Sequence, residues 1–275
     1  MTFPVSTIIA LPAGAHMSFP TGHKAPTLVC LHYLGGSRQT WSWMAGALGG
    51  AADLLAIDLP GFGDAAGSTG YTVAEMANAV AARIAKAGPQ RFVLCGHSMG
   101  AKVAITLAHR ASQGSSELDG LVGLALLAGS PPGPEPMQES KRQEMQGWCA
   151  GGEKMTLASA AAFVAQNVGG NLPPDRQECA VADARRCNPV AWRAWLECGS
   201  REDWAHRIGV LEIPALIVSG AEDAALGEAA QRHAMTPHFV APRMATLTGA
   251  GHLLPLERPT ELATLIGETF LAPVA

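Results

Sequence analysis

Arg91-Phe92-Val93-Leu94-Cys95-Gly96-His97-Ser98-Met99-Gly100-Ala101-Lys102-Val103-Ala104 reads as a short apolar strand that turns through Gly-x-Ser-x-Gly into a helical pattern. A serine held between a buried strand and a helix sits in a cramped turn. Gly96 and Gly100 lack the Cβ atoms that would collide where strand and helix cross, and the turn leaves the Ser98 Oγ exposed. The helix behind it aims free N–H groups, Met99 N–H among them, at negative charge developing on a nearby oxygen. The pentapeptide alone is common turn chemistry. The strand before it and the helix after it make Ser98 a candidate nucleophile.

A serine hydroxyl is a poor nucleophile at neutral pH and needs a base, with a carboxylate to orient that base. In this elbow geometry the chain order is serine, acid, histidine. Downstream, Ile213-Pro214-Ala215-Leu216-Ile217-Val218-Ser219-Gly220-Ala221-Glu222-Asp223 reads as a buried strand running into a loop with two acids. Asp223 is the expected orienting carboxylate, because its side chain is shorter than that of Glu222 and it lies farther past the strand end. A solvated loop acid or a helix N-cap is the competing reading of this residue. The segment Arg243 to Pro259 then gives a strand, a Gly-rich loop and His252 ahead of a closing helix, which makes His252 the candidate general base.

Eight other histidines compete with it. His97 adjoins Ser98, but neighbours on a tight elbow point in different directions, so His97 is expected to pack or hydrogen-bond behind the turn. His16, His23, His109, His206, His233 and His238 lie in polar or helical contexts and are expected at the surface. Thr27-Leu28-Val29-Cys30-Leu31-His32-Tyr33-Leu34-Gly35-Gly36-Ser37 supplies an early strand and loop for a second oxyanion donor, the backbone N–H of Leu34, paired with that of Met99. His32 is expected to pin that loop through backbone hydrogen bonds.

With these residues in place, the chain resembles the α/β-hydrolase superfamily, in its lidded group of serine esterases and related enzymes. The landmarks are His32-Tyr33-Leu34-Gly35-Gly36-Ser37, Asp58-Leu59-Pro60-Gly61-Phe62-Gly63, Gly96-His97-Ser98-Met99-Gly100, Gly220-Ala221-Glu222-Asp223 and Gly251-His252, and they span nearly the whole chain. Two positions depart from the family pattern: Tyr33 follows His32 where the family has glycine, and Ala101 stands for the second glycine after the elbow. Tyr33 is expected to line the pocket by wall packing or a hydrogen bond to substrate. The resemblance places Asp58 at a structural turn near a strand end.

The chain has 275 residues, of which 48% are hydrophobic and 15% charged, with a formal net charge of -4. That suffices for one large α/β core plus an insertion and leaves no basic footprint for nucleic acid and no polybasic membrane anchor. The expected partner is a small, weakly charged molecule; the sequence leaves the oligomeric state open. Met1 to Ala10 lacks the charged and long apolar regions of a secretory signal, and no run of about 18 apolar residues occurs, so a cytoplasmic location is expected. The six cysteines form no CxxC pair, so free thiols are expected, and no metal or cofactor is implied.

Apolar runs near 3–9, 27–32, 53–57, 91–95, 121–127, 215–219 and 243–247 read as strands of a mostly parallel sheet. Helical patterns fall near 40–49, 72–88, 99–111, 225–234 and 259–270, with Thr72 and Thr260 near two of the starts. The alternation breaks at Ala128-Gly129-Ser130-Pro131-Pro132-Gly133-Pro134. Residues 1–130 and 208–275 are therefore expected to form the core, and 131–207 a helical cap inserted between two core strands over Ser98. Met137, Met145, Trp148 and Phe163 are candidate pocket residues together with Tyr33, and Met155 is a further candidate. Each of the cap residues competes with a place in the cap's own core. Trp192, Trp195 and Trp204 are expected to pack helix faces on the body.

The expected function is hydrolysis of a small ester or lactone through Ser98, His252 and Asp223 and an acyl-enzyme. Carbon–carbon bond hydrolysis or acyl transfer would use the same residues. A ligand-binding receptor or slow pseudo-enzyme is the alternative of another class.

Overall fold

The computed structural model describes residues 25–271 and the strand Thr7–Ile8. Among the described residues seven strands form one sheet: β1 (Thr7–Ile8), β2 (Thr27–Leu31), β3 (Leu54–Ile57), β4 (Phe92–His97), β5 (Leu121–Leu127), β6 (Ala215–Gly220) and β7 (Arg243–Leu247). Their order is β1-β7-β6-β5-β4-β2-β3, with every neighbouring pair parallel. Of the strand expected near 3–9, Thr7–Ile8 is seen, and the rest lies outside the described residues.

Parallel strands joined by helical crossovers must be covered on both faces, and their side chains divide with period two. Val29, Leu31, Phe92, Leu94, Leu124, Leu126 and Ile217 enter one apolar cluster. Leu28, Cys30, Val93, Cys95, Ala125, Leu127, Leu216 and Val218 enter the other. The first cluster is closed by α2 (Val73–Ala87) and α3 (Met99–Ser112), which pack on each other. On the second face lie α1 (Ser42–Leu48) and α11 (Pro259–Ile266). Thr72 caps α2 in a reciprocal capping box with Glu75, and Gly88 ends it in the left-handed conformation at φ 64°. An N-cap of this kind stabilises by about 1 kcal/mol.

Between β5 and β6 the chain leaves the sheet for α4 (Glu139–Gly147), α5 (Leu157–Gln166), α6 (Pro174–Arg186), α7 (Pro189–Glu197) and α8 (Ala205–Ile208). The stems of this excursion meet at a buried lysine. Lys102 Nζ, on α3, donates to the carbonyl oxygens of Gly133 (2.9 Å), Glu202 (3.0 Å), Ser200 (3.3 Å) and Gly199 (3.4 Å). Its burial lowers the ammonium pKa to about 8 against the pull of Glu135, Glu202 and Asp203. After β6 come α9 (Glu228–Ala234) and, past β7, α10 (Leu254–Glu257).

The strand order places the site. The chain steps outward from β2 to β3 and then returns to the other side of β2 for β4, so the crossovers on β2 and β4 diverge. The crevice beyond the carboxyl ends of two such strands is where an open parallel sheet accepts ligands. Leu34 follows β2 and Ser98 follows β4, so both stand at that point.

Candidate active site

Ser98 is held at φ 51°, ψ −115°, a left-handed conformation that costs a residue with a Cβ on the order of 1–3 kcal/mol. Its surroundings fix it there. Ser98 N–H donates to Leu127 O at 2.9 Å, and Ser98 O accepts from Ala101 N–H at 2.9 Å and Ser130 N–H at 3.1 Å. A Cβ on Gly100 would stand 2.4 Å from Leu31 O, and one on Gly96 would stand 2.6 Å from the Ala101 Cα. The two flanking glycines are thus required by a real collision between the β4–α3 turn and its neighbours.

His252 Nε2 lies 2.8 Å from Ser98 Oγ, and His252 Nδ1 lies 2.7 Å from Asp223 Oδ2. Asp223 Oδ1 accepts the N–H groups of Ala225 (3.0 Å) and Leu226 (2.9 Å), so its remaining oxygen is free to face the imidazole. Burial pushes the Asp223 carboxyl up, but the charge and hydrogen bond of His252 and the two N–H groups outweigh it and hold it down at about 2. Burial likewise disfavours a charged His252. The charge of Asp223 and its hydrogen bond overcome this, with smaller help from Glu135 and Glu257, and raise the imidazole above its ordinary value. Glu222 is exposed and makes no hydrogen bond to His252.

The loop that carries His252 is held from three sides. His97 Nε2–H donates to His252 O at 2.7 Å, and burial drives the His97 pKa down to about 3, so that ring stays neutral. Asn167 O, just after α5, accepts the N–H groups of His252 (2.8 Å) and Leu253 (3.1 Å). The Glu257 carboxylate accepts Gly251 N–H (2.9 and 3.0 Å), Leu253 N–H (3.0 Å) and Gly169 N–H (2.7 Å). One side chain therefore brackets His252 on both flanks and ties the α5–α6 connection to it. Glu257→Ala leaves three N–H groups without their charged acceptor. It is expected to lower kcat by about 10- to 100-fold with little change in KM, and Glu257→Gln, which keeps one carbonyl acceptor, to recover part of the loss; steady-state kinetics of both variants check this.

Met99 opens α3, so its N–H has no partner inside the helix, and among the described residues the Leu34 N–H has no acceptor either. Leu34 lines the same cavity as Ser98. Behind it, His32 Nδ1–H donates to Tyr33 O at 2.7 Å while Nε2 accepts Leu59 N–H at 3.0 Å, which defines a neutral ring bridging two loops. Burial lowers its pKa to about 4. The far end of this loop is held by the excursion: Ser37 Oγ–H donates to Asp183 Oδ2, on α6, at 2.6 Å. Asp58 accepts the N–H groups of Arg38 and Asp64 and sits at a structural turn, away from His252.

Ser98 and His252 open into a cavity of about 420 Å³. Tyr33, Met137, Met145 and Phe163 line it. Tyr33 lies against His97, with ring centroids 5.1 Å apart, and its phenol is pushed well up by burial, so it remains un-ionised. A Cβ on Gly36 would meet this ring at 2.6 Å. Trp148 does not line this cavity. Its ring backs Phe163 at 5.9 Å and Trp192 at 6.3 Å, with Lys141 Nζ 5.3 Å above it. Trp195 packs as expected but also reaches the cavity, as do Glu135, Gln138, Gln166 and Asn167.

The model of the alpha/beta hydrolase family matches residues 28–265. The chain belongs to this family. Among curated proteins, 2-succinyl-6-hydroxy-2,4-cyclohexadiene-1-carboxylate synthase of Pectobacterium atrosepticum is 29% identical over 203 residues, covering 72% of this chain and 78% of that one. Among solved structures, an esterase from Exiguobacterium antarcticum superposes with a TM-score of 0.76 at 16% identity, covering 90% of this chain and 92% of that one. The enol-lactonase from Burkholderia xenovorans does so with a TM-score of 0.72 at 20% identity, covering 91% and 93%. At these identities the two structures bear on the fold alone.

In this hydrolase, Glu135 on the cavity wall, Glu257 behind His252 and Lys102 at the stems of the excursion are the residues that sequence reasoning missed. Glu135 follows a proline-rich breaker, and nothing local distinguishes it from a solvated acid. Lys102 had one available signal, a charge one helical turn past the elbow in a stretch, Met99–Ala108, that carries no other. Among the described residues no group of three or more metal-ligating side chains gathers, and no helix is long and apolar enough to cross a membrane.

Proposed function

We propose that the protein is a serine hydrolase that cleaves a small, weakly charged carboxylic ester or lactone through Ser98, His252 and Asp223. The observation that carries this reading is the continuous chain from Ser98 Oγ to His252 Nε2 (2.8 Å) and from His252 Nδ1 to Asp223 Oδ2 (2.7 Å). His252 takes the hydroxyl proton as Oγ attacks the carbonyl carbon, and the N–H groups of Leu34 and Met99 receive the oxyanion. Collapse of the tetrahedral intermediate breaks the bond to the leaving oxygen, which takes the proton from His252. Water then attacks the acyl-enzyme with the same proton transfers in reverse order and releases the acid.

Residues 131–207 act in this reading as a cap over a core of 1–130 and 208–275, and limit access of water and bulky substrates. Tyr33, Met137, Met145 and Phe163 form the apolar pocket for the substrate body; Trp148 supports that wall from behind. No cofactor takes part in the scheme. The free thiols of all six cysteines fit a reducing compartment and a cytoplasmic protein. The synthase relative favours a second reading on the same residues, in which the bond handled is other than an ester. Hydrolysis of 4-nitrophenyl esters with acyl chains of two to twelve carbons, together with fluorophosphonate labelling of Ser98, separates the two. Ester turnover with a chain-length optimum is the expected result; labelling without ester turnover favours the second reading.

A further inference from the structure

Most of the cavity wall is apolar and aromatic, yet one carboxylate reaches it from the stem of the excursion. Glu135 Oε2 accepts the Ser130 Oγ–H at 2.7 Å, and Ser130 N–H donates to Ser98 O at 3.1 Å. The Glu135 backbone N–H is tied to Ser200 O at 2.8 Å. The carboxylate is therefore anchored two hydrogen bonds from Ser98. Its Oε1 accepts no hydrogen bond among the described residues, and Glu135 forms no ion pair there.

The other charges around the cavity are accounted for. Asp223 is engaged by His252, Ala225 and Leu226, and Glu222 is exposed. Lys141 is the cation of the wall, and its ammonium is held by Glu144 and Gln166. Lys102 and Arg142 lie off the wall, with Lys102 Nζ committed to four carbonyl oxygens and Arg142 to Leu196 O and Ser200 Oγ. A ligand therefore meets the half-buried Glu135 carboxylate with its open oxygen, the exposed Glu222 carboxylate on the same cavity, the rings of Tyr33, Phe163 and Trp195, and no uncommitted cation.

We infer that Glu135 makes the site selective for substrates that carry a hydrogen-bond donor or a positive charge, an ammonium above all, and against substrates that carry a carboxylate at the same place. The inference rests on the serine-hydrolase reading above. A cation gains from the carboxylate and from nearby aromatic rings. A second carboxylate meets like charge; Lys102 and Arg142 act on Glu135 from behind the wall but are committed to protein oxygens and do not face the ligand, and discrimination of this kind comes from the repulsive member of the pair.

The test uses two matched substrate sets. In one, 4-nitrophenyl esters carry acyl chains of equal length ending in trimethylammonium, methyl or carboxylate. In the other, hexanoate is esterified with choline, 3,3-dimethylbutanol or 3-hydroxypropanoate, which moves the charge to the alcohol side. In at least one set, kcat/KM is expected to fall from ammonium to carboxylate by about 100-fold, mostly through KM, each tenfold step being about 1.4 kcal/mol. Glu135→Gln keeps an acceptor for Ser130 and removes the charge, and is expected to narrow the spread to about tenfold or less. Competitive inhibition of the wild-type enzyme, with hexyltrimethylammonium binding more tightly than hexanoate, gives the same answer without any variant. A carboxylate substrate handled as well as the ammonium one in both sets, or a spread that persists in Glu135→Gln, overturns the inference. Absence of both neutral-ester turnover and Ser98 labelling overturns the hydrolase reading beneath it, and that result is distinguishable because the neutral esters carry no charge to select.

Discussion

Ser98→Ala is expected to reduce kcat on the best ester by at least about a thousandfold and to abolish fluorophosphonate labelling. The size follows from the step that is lost. Without Oγ no acyl-enzyme forms, and what remains is attack by water on a carbonyl bound near the Leu34 and Met99 N–H groups. The fold should not change. Alanine has the same backbone restrictions as serine, so the strain at φ 51° is carried equally by both, and the Ser98 N–H and C=O bonds to Leu127, Ala101 and Ser130 involve only main chain. Removing the Oγ costs one hydrogen bond to His252, on the order of 1 kcal/mol. Thermal melting of both proteins, beside the kinetics, checks that the loss is chemical. Full activity in Ser98→Ala would remove Ser98 as nucleophile.

The sequence made the sheet legible because parallel strands buried on both faces appear as unbroken apolar runs, as in Phe92–Cys95 and Ala215–Val218. It made Ser98 legible because the elbow imposes two collisions that only Gly96 and Gly100 avoid. His252 and Asp223 followed from chain order and from their places just past strand ends. Glu135 and Glu257 were not legible, because their bonds to the nearby Ser130, Gly251 and Leu253 depend on how each loop turns, and their remaining ties, to Ser200 and Gly169, come from far away in the chain. Trp148 illustrates the same limit. A tryptophan on the excursion between β5 and β6 is equally suited to a pocket wall and to the layer behind it, and only the position of Phe163 decides. His97 was read correctly from the divergence of side chains on the elbow, but the acceptor it finds, His252 O, is 155 residues away.

Asp223→Asn is expected to lower kcat by about 10³- to 10⁴-fold while leaving KM within a few-fold. The hydrogen-bond pattern at Asp223 explains why the amide is a poor substitute. Oδ1 is fixed by the N–H groups of Ala225 and Leu226, so an asparagine keeps its carbonyl there and turns its NH₂ toward His252 Nδ1. Nδ1 must then accept, which moves the ring proton to Nε2, and Nε2 can no longer take the proton of Ser98. Glu222 offers no rescue, because its side chain is exposed and makes no bond to His252. The charge effect has a definite sign. In the wild type, Asp223 raises the His252 pKa against burial, so kcat/KM falls on the acid side as pH drops through that raised value and His252 becomes protonated. In the asparagine variant burial acts with its main opponent gone, the imidazole pKa drops, and the acid limb of the residual activity moves to lower pH. A pH profile of both proteins over about pH 4–9 reads the shift directly. An acid limb that stays in place would mean that Asp223 does not set the charge on His252, and the carboxylate would then be a loop anchor for Ala225 and Leu226 alone.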